Sequence, residues 1–257
     1  MSFATLDAHH VHDVTLLLRG WRDLAKRAGL IWRRIAVAGG HGVFCAASRR
    51  VAHDEDRLLY LSAGVHGDEP APPWALLDWA EQNIPQLRSH PVLIFPCMNP
   101  HGVRNNTRAD QRGIDINRTF NSRRDPLIKA WRGALGEVKP ALALCLHEDY
   151  DAQGCYAYEL TREAGTIGNL ALGDCAKIIA PDARRKIDGR AMKDGMFVRH
   201  GDFALPNLPG LPEAIMLHQM GSRRTLTFET PSEFSLLDRI AAQRRFIEST
   251  VHHGLGF

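Results

Sequence analysis

The sequence predicts an α/β protein: a single-domain, three-layer α/β/α fold around a mostly parallel mixed sheet. Three observations lead there. Apolar runs of strand length alternate with helix-length segments from residue 11 to residue 253. The central runs, PVLIFPCM (91–98) and ALALCL (141–146), are continuously apolar, as strands buried on both faces are. Polar and titratable residues collect directly after those runs, where open α/β sheets bind ligands.

Each element follows in order. Residues 11–29 form an amphipathic helix closed by Gly29. Residues 31–37 and 43–48 are β-rich and flank Gly39-Gly40-His41-Gly42, a hairpin signal. The run 57–65 is a third strand, and PAPPWALLDWAEQNI is a helix opened by prolines. Strand 91–98 precedes a polar stretch, 99–124, without clean periodicity. DPLIKAWRGALGEV is a helix with Asp125 as N-cap and Pro126 at its first position. Strand 141–146, a short strand at YAYEL and a helix over 163–179 come next. Residues 185–211 give no readable pattern. PEAIMLHQM is a short helix, RRTLTFE (223–229) a strand, and 234–253 a closing amphipathic helix. The 257 residues fit one domain, with the N-terminal helix and hairpin, 10–50, packed on a catalytic core, 57–253.

Composition narrows the function classes. Apolar content of 44% and charged content of 24% are ordinary for a globular protein. The net charge is +3, and no dense Lys/Arg block argues for nucleic acid. No apolar run reaches membrane-spanning length, and the N-terminus lacks the basic and apolar regions of a secretory signal. Five cysteines, at 45, 97, 145, 155 and 175, stand singly. Their odd number and the absence of CxxC argue against a disulfide framework or a cysteine zinc site. The expected compartment is the cytoplasm. Terminal histidines His9, His10, His12, His252 and His253 are expected to be exposed.

The strand ends carry the chemistry. Strand 57–65 ends in His66-Gly67-Asp68-Glu69, and strand 91–98 in Asn99-Pro-His-Gly102 followed by Arg108, Asn117 and Arg118. Strand 141–146 ends in His147-Glu148-Asp149, and strand 223–228 in Glu229. A lone HxxE is more often a surface loop than a metal grip. A second histidine at another strand end makes His66, Glu69 and His147 a candidate zinc set, since catalytic zinc takes three His/Glu ligands and keeps one position open. Asp68 competes within the motif and is expected to point away. Glu229 is the candidate base; its bland alternative is a carboxylate paired to an arginine such as Arg223. Arg118, beside Asn117, suits a substrate carboxylate, and Arg108 a developing oxyanion.

HGDE, NPHGVRNNTRADQRGIDINRTF, LCLHED and TLTFETP together resemble the zinc-carboxypeptidase family in order, strand context and spacing. Arg108 stands nine residues before Asn117, as the compact members' pattern requires. The resemblance covers about 57–233 and implies a zinc-carboxypeptidase-like (phosphorylase/hydrolase-like) fold. It also implies one Zn2+ per chain on His66, Glu69 and His147, carboxylate binding by Asn117 and Arg118, oxyanion support from Arg108, and a general base at Glu229. Only 77 residues separate Glu69 from His147, which resembles the compact bacterial branch near murein-peptide amidases and the succinylglutamate desuccinylase/aspartoacylase group. The expected activity is hydrolysis of a C-terminal amide bond in a small peptide. The alternative is an N-acyl amino-acid deacylase, and a third reading is a non-catalytic zinc or peptide binder. Either substrate carries a free carboxylate; neither nucleic acid nor membrane is an expected partner, and the oligomeric state is open. Digestive members of the family carry a substrate-binding tyrosine before the late glutamate, whereas this chain has none after Tyr158. His200 and His218 are candidates for that role, with satisfied histidines as the simpler alternative.

Overall fold

The alternating pattern is realised in a computed structural model that describes residues 10–49, 57–205 and 208–256. Asp13 accepts from Leu16 N at 2.9 Å and caps α1 (Val14–Ala28). β1 (Ile31–Ala38) and β2 (His41–Ala47) pair as an antiparallel hairpin. β3 (Leu59–Ser62), α2 (Ala71–Gln82), α3 (Ile84–Ser89) and β4 (Val92–Phe95) follow. After α4 (Pro100–Asn105) and a single 3-10 turn (Ile116–Arg118) come α5 (Pro126–Leu135), β5 (Leu142–Asp149) and β6 (Tyr156–Thr161). The chain continues through α6 (Gly168–Cys175), β7 (Lys186–Ile187), β8 (Arg190–Ala191), β9 (Met196–His200) and α7 (Glu213–Gln219). It closes with β10 (Arg224–Pro231) and α8 (Leu236–Leu255).

Eight strands form one mixed sheet in the order β1-β2-β4-β3-β5-β10-β6-β9. Its centre, β4-β3-β5-β10, is parallel throughout. β2 joins the N-terminal hairpin to that centre by antiparallel pairing with β4. Leu142, Leu144 and Leu146 face the apolar layer that includes Trp21, Trp74 and Phe246 from α1, α2 and α8. The intervening Ala143 and Cys145 face the opposite layer, with Ile128 and Trp131 of α5 and Leu217 of α7. The period of two along β5 therefore sends His147 to the second face and Glu148 to the first.

Several boundaries differ from expectation. β3 is shorter than 57–65, because the chain turns away after Ser62 through Gly64. β5 does not stop before His147; parallel pairing with β10 (His147 with Glu229, Glu148 with Thr230, Asp149 with Pro231) carries both strands onward. The expected helix over 163–179 contracts to α6, whose start is set by Glu159, accepting from Gly168 N at 2.9 Å. The stretch 99–124 contains α4, capped by Asn99, which accepts from Gly102 N at 2.9 Å. All five cysteines are buried and unbridged. His10, His252 and His253 are exposed, while His12 is half-buried with Nδ1 2.8 Å from Val103 O; His9 lies outside the described residues. No helix among the described residues is long and apolar enough to cross a membrane.

Candidate metal centre and substrate cavity

The turn after β3 brings His66 and Glu69 together because Gly67 has no side chain. A Cβ there would lie 1.9 Å from the Gly102 carbonyl carbon, so the turn is pressed against α4. Gly67 N also donates to Thr107 O at 3.1 Å. Asp68 is exposed. Glu69 sits between two imidazoles: Oε1 accepts from His66 Nδ1, and Oε2 is 2.9 Å from His147 Nδ1. All three side chains are buried, and their ligand atoms lie within 4.8 Å of one another.

The electrostatics favour positive charge at this point. Burial works against charge on His66, the facing Glu69 carboxylate outweighs it, and its pKa is raised to about 9. His147 is raised against the same penalty by the same carboxylate. Burial alone would raise the Glu69 pKa, but the charges of His66 and His147 carry it well below the usual carboxylate range. Two nitrogens and a carboxylate, buried and converging on positive charge, match the donor chemistry of a divalent cation such as zinc.

Asp115 completes the support, a part that sequence reasoning left without a role. It lies 3.1 Å from His66 Nε2 and accepts from Arg108 Nε at 3.1 Å and Asn117 N at 2.9 Å. One carboxylate thus orients a candidate ligand, a candidate oxyanion donor and the turn carrying Asn117. Burial would raise its pKa, but the hydrogen bond from His66 and the charges of His66, Arg108 and Arg118 bring it below the ordinary range. The only available signal was its place, two residues before Asn117. Asn99 orders the same loop by donating to Arg108 O at 3.2 Å.

A cavity of about 540 Å³ opens over this cluster and takes in His66, Glu69, His147, Arg108, Asn117, Arg118 and Glu229. All seven residues singled out from the sequence therefore meet at one place. Glu229 faces the same side as His147, its register partner, and its carboxylate forms no ion pair or hydrogen bond among the described residues. Arg223 pairs instead with Glu163, at 2.6 Å. Burial pushes the Glu229 pKa well above the ordinary carboxylate value, against the pull of His147. Arg118 is exposed, and its side chain donates to the Asn117 carbonyl at 3.1 Å.

The rest of the lining comes from the stretch that the sequence left unreadable and from β6. Tyr156 donates to Asp149 Oδ2 at 2.9 Å and Tyr158 to Asp188 Oδ2 at 3.0 Å. Arg190 and Arg199 line the cavity and form no ion pair among the described residues. Neither His200 nor His218 lines it; His200 is exposed, and His218 is stacked on Phe203 with its Nε2 3.1 Å from Gly201 O. Glu148 turns to the opposite face, accepting from Ala71 N at 2.9 Å and Arg239 at 2.6 Å, and so binds β5 to α2 and α8. Asp149 caps the following turn, accepting from Asp151 N at 2.9 Å.

Comparison with known proteins agrees with this picture. Residues 55–134 match the family model of the succinylglutamate desuccinylase/aspartoacylase catalytic domain. Murein peptide amidase A of Escherichia coli is 35% identical over 80 residues, covering 30% of this chain and 32% of that protein. The chain thus aligns with about a third of the length of that curated relative. The crystal structure of a candidate metallopeptidase from Shewanella amazonensis superposes with a TM-score of 0.83 at 21% identity, over 96% of this chain and 95% of that one. A metallo-carboxypeptidase from Burkholderia cenocepacia shares the fold with a TM-score of 0.65 at 15% identity, over 91% of this chain and 67% of that one. The fold is that of the metallocarboxypeptidase-like proteins, and the resemblance read from the sequence is borne out. The proteins it resembles are hydrolases of the metallocarboxypeptidase and amidase type.

Proposed function

We propose that the chain is a zinc-dependent hydrolase that cleaves an amide bond next to a free carboxylate in a small peptide. The observation that supports this most is the shared cavity. The His66–Glu69–His147 cluster, the Glu229 carboxylate and the Asn117–Arg118 pair all line it. His66, Glu69 and His147 would hold one zinc ion, which when bound polarises a carbonyl and lowers the pKa of water. Glu229, whose carboxylate has no other partner among the described residues, takes the proton from the attacking water and passes it to the leaving amine. Arg108, oriented by Asp115, donates to the oxygen that gains negative charge. Asn117 and Arg118 hold the substrate carboxylate and so fix the register of the scissile bond.

The family match over 55–134 supports a second reading, an N-acyl amino-acid deacylase using the same residues. A panel of dipeptides and N-succinyl and N-acetyl amino acids, assayed with zinc-loaded protein, separates the two. Cleavage of dipeptides is the expected result. Cleavage of the acylated amino acids alone selects the deacylase, and zinc binding without hydrolysis of either class sinks both readings.

A further inference from the structure

Beneath the cavity lies a carboxyl group for which this hydrolysis has no use. Glu213, the first residue of α7, is fully buried. Its oxygens accept from the Tyr60 hydroxyl and, at 2.7 Å, from the Ser62 hydroxyl of β3. The Tyr60 hydroxyl in turn accepts from Trp131 Nε1 at 2.8 Å. Glu213 forms no ion pair among the described residues. Burying a carboxyl without a cation costs free energy, so the position calls for a reason.

The backbone of the same residue supplies one. Glu213 N donates to Asn117 Oδ1 at 3.0 Å. A backbone N–H can only donate, so the Asn117 amide must turn its oxygen to α7, leaving Nδ2 as its free group. The neighbouring chain is joined as closely. Phe120 N donates to Leu211 O at 3.2 Å, and Leu211 N to Asn121 Oδ1 at 3.2 Å. A Cβ on Gly210 would lie 1.7 Å from Arg118 O.

We propose that Glu213 is a positioning residue for the carboxylate clamp. Its side chain, held by Tyr60 and Ser62 on the sheet, anchors the first turn of α7. Its backbone N–H then fixes the Asn117 amide, so that the Asn117–Arg118 pair presents donors alone to a substrate carboxylate. This rests on the clamp role proposed above for Asn117 and Arg118.

The test is a double-mutant cycle read by calorimetric binding, without turnover. The probe is whichever of L-glutamate, L-lysine and L-phenylalanine the zinc-loaded protein binds most tightly. Glu213→Ala is expected to weaken binding about tenfold, Ser62→Ala less, and Glu213→Gln to restore part of the loss. Zinc content stays at the wild-type level. In an Asn117→Ala background, Glu213→Ala and Ser62→Ala change binding by no more than about twofold, because the amide through which they act is gone. Additive losses, unchanged binding in Glu213→Ala, loss of zinc, or a wild-type protein that binds none of the three probes would overturn the proposal. Should Glu213→Ala fail to fold, Ser62→Ala completes the same cycle. Failure of hydrolysis with a non-additive cycle sinks the proposed reaction and leaves the clamp; hydrolysis with an additive cycle does the reverse.

Discussion

The two walls of the cavity are built by different means. On one, His66 and Glu69 follow β3, while His147 and Glu229 stand in register on the parallel strands β5 and β10. The ligand candidates are buried, and each is held by a named neighbour. The other wall comes from β6, β8, β9 and the chain before α7, at the far edge of the sheet. Its arginines lie over aromatic rings, Arg190 5.1 Å from the Phe197 centroid and Arg199 4.2 Å from that of Phe203. Bond-making chemistry needs reacting groups held within about half an ångström, which parallel strands provide. Choice among substrates needs shape and charge, and arginines stacked on aromatic rings supply both.

The largest effect that distinguishes the walls is expected at Glu229. Glu229→Gln removes the proposed base while keeping the shape of the strand wall. Turnover should fall about 10²–10⁴-fold, the usual worth of general base catalysis, with zinc content unchanged by elemental analysis. A Glu229→Gln protein with near wild-type kcat would break the assignment of chemistry to this wall.

Gly67→Ala tests whether the strand wall is as rigid as its contacts imply. The added methyl meets the backbone of Gly102, which cannot swing aside as a side-chain tip would. Overpacking of this kind costs about 1–3 kcal/mol, and here the strain falls on the turn joining His66 to Glu69. Zinc affinity should drop with stability, seen as a lower Tm and a weaker Kd in competition with a chelator. Unchanged zinc affinity would show that the turn adapts.

The same contrast explains what was legible in the sequence. Continuous apolar runs ending in HGDE, HED and ET marked the strand wall, because a parallel strand and its catalytic end are contiguous in the chain. Asp115 escaped because its most telling partner, His66, stands 49 residues earlier in the chain, and nothing local marks that contact. Glu213 escaped for a different reason: an acid at a helix start is ordinary, and only its burial makes it unusual. Beyond β6, which YAYEL signalled, the outer wall was unreadable because β7 and β8 have two residues each and β9 is set by pairing with β6, some forty positions earlier. No local periodicity survives in pieces that short. α4 was missed although Asn99-Pro100 carries a cap and a first-turn proline, the signals that identified α5.

The smallest expected effect belongs to the outer wall. Arg190 and Arg199 bring two guanidinium groups without carboxylate partners, whereas Asp188 already accepts from Tyr158. An acidic side chain beside the scissile bond should therefore be preferred to its neutral isostere. A hydrogen bond to a charged group is worth about 1.5–3 kcal/mol when well formed, and the half-exposed Arg190 should give less. Arg190→Ala is expected to lower the ratio of kcat/KM for a glutamate substrate over its glutamine counterpart about three- to tenfold, mainly through the glutamate substrate. Tm should move little, since the side chain stacks on Phe197 at the cavity edge. A variant that slowed both substrates equally would place Arg190 with the chemical wall instead. A wild-type protein that favoured lysine over glutamate would make Asp188, not the arginines, the group that selects.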